Sequence, residues 1–133
     1  MITLVDSSVW IDFFNGRDSP EALYFKDNLR RERFLVADMV LLEVLQGFRS
    51  DPEFERARDA MLKFHVVSLG GRQAAVRGAQ NYRRLRAQGV TVRSAIDCLI
   101  ASYCIANDCR LLHSDRDYSY FESRLGLKVL RPG

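Results

Sequence analysis

The chain has 133 residues, of which 47% are hydrophobic and 28% charged, and it carries a formal net charge of +3. That length and balance are ordinary for a soluble globular domain, here residues 1–133, with a core that needs no staples. Three cysteines, Cys98, Cys104 and Cys109, with no CxxC pair among them, exclude a disulfide framework and a zinc site and predict small reduced thiols in a cytoplasmic protein.

The first predicted element is a buried strand over Ile2–Val5, a short β-branched run that ends at Asp6. Ser7 or Ser8 can N-cap a helix over VWIDFFNG, which Gly16 closes. Ser19, Pro20 and Glu21 then open a helix that runs to about Arg31. RFLVA predicts a second strand, and Asp38 caps the strongly apolar helix MVLLEVLQGF. Asp51 as cap and Pro52 at the first position start another helix, to Phe64. HVVSL is a third strand, Gly70-Gly71 punctuates, and a long basic helix follows to about Gln88, ended by Gly89. Ser94 caps the next helix. RLLHS predicts a fourth strand, DRDYSYFES a short helix or turn, and LKVLRP a last strand. No linker, low-complexity tract or internal repeat interrupts the series. Strands alternating with helices predict an α/β fold with a central, mostly parallel β-sheet flanked by helices in three layers.

No apolar run approaches the roughly 20 residues of a membrane span. The start, MITLVDSS, lacks the basic and long apolar parts of a secretory signal. Charge is unevenly spread. Between Ala60 and Ile96 there is no acid, while Lys63, Arg72, Arg77, Arg83, Arg84, Arg86 and Arg93 all fall there. Arginine forks suit bidentate phosphate contact, so this stretch points to a polyanionic partner rather than only to a solvated helix face.

In parallel sheets ligands sit at the carboxyl ends of the strands. Asp6 falls after the first strand and Asp115 after the fourth, with Asp117 two residues on. Two more acids stand alone on apolar helices: Glu43 is the only charge between Asp38 and Arg49, and Asp97 the only one from Ala95 to Asn107. Each has an ordinary alternative. Asp6, Asp115 and Asp117 can be helix caps, Glu43 can be exposed, and Asp97 can pair with Arg93 one turn away. If they converge, they cannot all ionise without a cation. Mg2+ or Mn2+ prefers such hard oxygen ligands, and a site of this kind activates water and stabilises charge building on a phosphodiester.

The ordered segments LVDSSVWIDFF, LLEVLQG, SAIDCLIASYCI and LLHSDRDYSYF resemble the PIN-domain ribonucleases, and more closely the VapC toxins of type II toxin–antitoxin systems, from Ile2 to Leu130. The resemblance implies a PIN fold and an acidic quartet, Asp6, Glu43, Asp97 and Asp115, holding one or two Mg2+ or Mn2+ ions. It assigns Asp117 as a further acid and Ser8 as a hydroxyl supporting the first. The sequence departs from the pattern at His113, where the family often has Thr. The resemblance also implies endoribonuclease action on structured RNA at a tRNA or rRNA loop, inhibition of translation, a homodimer and a cognate antitoxin whose tail covers the active site. Arg72, Arg77, Arg83, Arg84, Arg86 and Arg93 are then the candidate phosphate contacts. Trp10, Phe13 and Phe14 are expected in the core or a dimer surface. Two alternatives stand beside this: a PIN-like domain that binds RNA or a partner without cutting, and a receiver-type phosphoacceptor domain.

Overall fold

Five strands, β1 (Thr3–Val5), β2 (Phe34–Ala37), β3 (His65–Val67), β4 (Arg110–Leu112) and β5 (Lys128–Val129), form one sheet in a computed structural model that describes residues 1–133. The sheet is parallel throughout, in the order β3-β2-β1-β4-β5. β1 lies at its centre and is wholly buried, as are β2 and most of β4. Burial on both faces is why these segments are continuous apolar runs rather than alternating ones. The chain leaves β1 for β2 on one side and returns to β4 on the other, so a crevice opens between the carboxyl ends of β1 and β4. The receiver-type alternative is overturned here, because receiver-like sheets have the order 2-1-3-4-5.

The helices are α1 (Ser7–Phe14), α2 (Pro20–Asp27), α3 (Asp38–Leu45), α4 (Asp51–Met61), α5 (Arg72–Ala87), α6 (Ala95–Ala106) and α7 (Ser119–Leu125), with a 3-10 turn over Arg116–Tyr118 before α7. Their starts differ from expectation in three places. Asp6, not Ser7 or Ser8, caps α1, because the extended backbone at Asp6 swings its carboxylate onto the Ser8 N–H at 3.1 Å. Ser50 rather than Asp51 caps α4, its hydroxyl accepting from the Glu53 N–H, which leaves Asp51 and Pro52 in the first turn. Asp38 is the first residue of α3, after Ala37 at the cap; its carboxylate accepts from the Met39 N–H and, across the fold, from the Leu69 N–H at 3.1 Å. One acid therefore ties the exit of β3 to the start of α3. α2 stops at Asp27 instead of reaching Arg31: at Asn28 the backbone leaves helical angles (φ −116°, ψ 14°), and its N–H and side-chain amide both donate to the Tyr24 carbonyl. Gly89 closes the α5 end as expected, with a φ of +82° that L side chains rarely adopt.

Trp10 is 1% exposed and lies in an aromatic cluster with Phe13, Phe14, Phe25 and Phe64. These rings belong to the core side of α1, as expected. The three cysteines are free and buried, with burial pushing the Cys98 thiol up to about 11. No helix is long and apolar enough to cross a membrane.

α5 packs along α6, with both running the same way. A Cβ on Gly78 would touch Leu99, and three residues on the Asn81 amide donates to the Ser102 hydroxyl at 2.8 Å, both residues buried. That hydrogen bond sets the register of the two helices. Ser102→Ala should leave the buried Asn81 donor unsatisfied and cost about 1–3 kcal/mol, read as a lower urea midpoint with an unchanged slope.

Candidate metal centre

Asp6 ends β1, where its own N–H donates to the Leu112 carbonyl of β4 at 3.0 Å. Its side chain is 3% exposed. Oδ2 accepts from the Ser8 N–H at 3.1 Å and from the Ser8 hydroxyl at 2.6 Å, and Oδ1 accepts from the Tyr118 hydroxyl at 2.8 Å. Capping α1 and facing the crevice are thus one conformation of one residue. Ser8 reaches further: its oxygen also accepts from the Ser114 N–H at 3.2 Å, which fixes the chain leaving β4.

Asp97 comes from the first turn of α6, where Ser94 caps the helix and accepts from the Asp97 N–H. Its Oδ1 is 3.2 Å from the same Tyr118 hydroxyl. Asp115 caps the 3-10 turn, its Oδ1 accepting from the Asp117 N–H at 3.0 Å. One carboxylate oxygen from each of Asp97, Asp115 and Asp117 lies within 4.8 Å of the other two. The tightest cluster therefore contains Asp117 in addition to two of the expected quartet. Asp6 is linked to it through Tyr118. Glu43, half-buried on α3, joins through charge: burial raises its pKa first, and the Asp6 carboxylate raises it further.

Asp97 shows the crowding most clearly. Its pKa is raised to about 6, by burial first, then by the charge of Asp6, with smaller contributions from Asp115 and Glu43; the Tyr118 hydrogen bond opposes the rise. No basic side chain relieves these acids. The ion pairs of the protein, Arg17–Asp12, Arg58–Asp59, Arg110–Glu32, Lys128–Asp108 and Arg131–Glu122, include none of them. Arg93 does not pair with Asp97. A set of carboxylate oxygens with no cationic partner matches the donor chemistry of Mg2+ or Mn2+.

Two further residues organise the centre. His113 Nδ1 accepts from the Asp115 N–H at 3.1 Å, and burial lowers the His113 pKa, so the ring stays neutral with its proton on Nε2. The imidazole thereby supplies the acceptor that a hydroxyl would give at this turn. Its ring lies 4.8 Å from that of Tyr118. Tyr118 itself is a site residue that the sequence does not single out. It is fully buried, and burial holds its phenol well above the ordinary value, so the hydroxyl keeps its proton. In sequence it stands one residue after Asp117, where it reads as an ordinary core aromatic.

Arg83 and Arg86 line a groove of about 370 Å3 with Ala95, Cys98 and Leu99, the turns of α6 that flank Asp97, while Arg72 opens α5 and Arg93 precedes α6. Arg77, Arg83 and Arg84 line a groove of about 740 Å3 with Ile105 and Ala106. Ile105 is eight residues beyond Asp97, about 12 Å along the helix. Arg86 lies over the Tyr82 ring. None of the six is in an ion pair. Arg77 and Arg84 thus border the far end of α6, and Arg83 and Arg86 border the turns beside Asp97.

The folded protein holds the Asp97 proton from about pH 4 up to about 6, whereas an unfolded carboxyl releases it near 3.8. Stability in metal-free buffer consequently falls as pH rises through that window. Asp97→Asn removes the penalty: with chelator present it should exceed the wild type by about 1 kcal/mol near pH 7.5, allowing for solvent screening at a half-buried group, and match it below pH 4, as read by urea denaturation.

The chain matches the PIN domain family over residues 3–123. It is 32% identical over 120 residues to the VapC ribonuclease Mb1587 of Mycobacterium bovis and to ribonuclease VapC11 of Mycobacterium tuberculosis, each alignment covering 86% of this chain and 87% of the relative. Similar solved structures include FitAcB from Neisseria gonorrhoeae, with a TM-score of 0.77 at 18% identity, covering 99% of this chain and 98% of that one. VapBC2 from Rickettsia felis, bound to a DNA fragment from its promoter, superposes with a TM-score of 0.75 at 16% identity, with 98% of each chain covered. VapC20 of Mycobacterium tuberculosis, a sarcin-ricin loop cleaving toxin, gives 0.73 at 16%, covering 98% of this chain and 99% of that one. The fold is shared with all three, and with its acidic crevice at the β1/β4 switch point and its curated VapC ribonuclease relatives, the chain belongs to the PIN domain family.

Proposed function

We propose that this chain is a metal-dependent endoribonuclease of the VapC type, the toxin of a toxin–antitoxin pair, which cleaves an unpaired loop of a structured RNA such as tRNA or rRNA and so inhibits translation in the cytoplasm. The observation that carries this is the convergence of Asp6, Glu43, Asp97, Asp115 and Asp117 on one crevice without a single basic partner. A domain that bound RNA without cutting it would have no use for so many unrelieved carboxylates. The curated VapC ribonuclease relatives support the same activity.

In this proposal Asp6, Glu43, Asp97, Asp115 and Asp117 together hold one or two Mg2+ or Mn2+ ions, with Asp97, Asp115 and Asp117 the tightest group. Such an ion, when bound, activates water and neutralises charge on the phosphodiester under attack. The protein's own groups do the rest. Ser8 fixes the direction of Asp6, and His113 fixes the backbone of Asp115. A cleft of about 590 Å3 opens beside Asp115, lined among others by His113, Arg116 and Arg131, and gives an RNA strand room next to the acids. Arg72, Arg83, Arg86 and Arg93 meet nearby phosphates. Arg77 and Arg84, beside Ile105, meet phosphates farther along, which suits a folded RNA better than a short fragment.

An antitoxin partner is part of the proposal. A groove of about 410 Å3 runs between α1 and α3 past Glu43, lined by Ile11, Phe14, Val44 and Phe48. Ile11 is 44% exposed, and nearby Leu42 is 58% exposed. A groove of mixed lining, with Arg49 and Glu53 beside those apolar side chains and a site acid on its wall, suits a partner segment that covers the crevice. The similar VapBC and FitAcB structures support this partner in kind, and the homodimer rests on the VapC relationship.

RNA and DNA substrates assayed side by side with Mg2+ or Mn2+ test the activity. Asp97→Asn and Asp6→Asn should each lower RNA cleavage by more than the roughly 10–100-fold typical of an outer-shell change, with circular dichroism unchanged, and chelator should abolish wild-type activity. Full activity in a folded Asp97→Asn variant removes Asp97 from the site, and cleavage of DNA alone rejects the RNA substrate. Replacing Arg83, Arg84 and Arg86 together with Ala should flatten the dependence of log affinity on log salt by about 2, because each neutralised phosphate adds about 0.7 to that slope.

A further inference from the structure

A buried ring the size of Tyr118 does not need a hydroxyl to fill its space; phenylalanine would pack the same site. Yet the Tyr118 hydroxyl, on a residue with no exposed surface, stands between two acids of the crevice, 2.8 Å from Asp6 Oδ1 and 3.2 Å from Asp97 Oδ1. A carboxylate offers about four acceptor sites, two on each oxygen. Ser8 occupies both on Asp6 Oδ2, through its N–H and its hydroxyl. Tyr118 occupies one on Oδ1. The single site left on Asp6 is on the oxygen that Tyr118 touches, so the phenol dictates the direction in which Asp6 can offer an electron pair. The same hydroxyl borders Asp97, and neither acid is ion-paired. Its one proton lies between two like charges.

We propose that Tyr118 is a positioning residue of the metal centre: its hydroxyl aligns Asp6 and Asp97 as a pair and thereby sets the affinity of the crevice for a divalent cation. The inference rests on cation binding at the acidic crevice, as proposed above. His113, packed on the Tyr118 ring, and Phe121 behind it hold the phenol in place.

The test is Mn2+ binding to the full chain, measured as loss of the free-ion paramagnetic resonance signal. Tyr118→Phe should weaken Mn2+ binding about 10–100-fold, the range for removing a group that orients a ligand, with circular dichroism unchanged. Tyr24→Phe removes a phenol that bonds Glu32, a residue outside the crevice, and should bind Mn2+ as the wild type does. A folded Tyr118→Phe chain with affinity within about twofold of wild type overturns the proposal, as does an equal loss in Tyr24→Phe. A second measurement needs no variant: in the wild type, Mg2+ should shift the Tyr118 ring resonances together with the Asp6 and Asp97 amides. Amides that move while the Tyr118 ring stays still overturn it. A wild-type chain that binds no Mn2+ rejects the metal centre itself, and the inference with it, so the two failures are told apart.

Discussion

Mutual repulsion among carboxylates held at the carboxyl ends of β1 and β4 is the constraint around which this fold is arranged. Asp6, Asp115 and Glu43 crowd the ionised form of Asp97, Asp6 crowds that of Glu43, and no lysine or arginine is ion-paired with any of them. Left to itself such a cluster would spread into solvent. Here two of the acids are anchored by a local structural duty that also aims them, and a third stands beside them. Asp6 caps α1, Asp115 caps the 3-10 turn, and Asp97 sits in the capped first turn of α6. Because the caps are set by backbone geometry, Asp6 and Asp115 cannot turn away without losing helix starts, and the Tyr118 hydroxyl holds Asp97 beside them.

A second layer of neutral groups keeps the crowding tolerable. Ser8, His113 and Tyr118 all interact with the cluster without bringing a positive charge. Hydrogen bonds to carboxylates are stronger than neutral ones, so they fix orientation well. A lysine in the same place would neutralise the cluster and fill the space a cation needs. The chain thus keeps its acids oriented yet electrostatically unsatisfied, the condition in which a divalent ion gains the most on entering.

The basic stretch has a different geometry. The Asn81–Ser102 hydrogen bond and the close approach at Gly78 lock α5 beside α6 in the same direction. Positive charge is therefore spread along α6, from Arg83 and Arg86 beside the turns that flank Asp97 to Arg77 and Arg84 beside Ile105. None of these arginines is held in an ion pair within the protein, and Arg86 lies over the Tyr82 ring.

Much of this is legible in the sequence. Apolar runs bounded by turn residues give the strands, capping residues give the helices, and the isolation of Glu43 and Asp97 on apolar helices marks them as unusual before any fold is known. Boundaries slip where two nearby residues can both cap, as at Asp6 and Ser8 or Ser50 and Asp51, because which side chain reaches the free N–H depends on the local backbone angles. The sequence by itself determined the alternation of strands and helices, the acids that stand alone and the long basic stretch, since all three are local patterns of residue type. Only the tertiary structure decided that β1 lies centrally, that Tyr118 joins Asp6 to Asp97, and that the arginines of α5 line both ends of α6. Those depend on contacts between residues far apart in the chain, such as the 112 positions separating Asp6 from Tyr118, which no local pattern encodes.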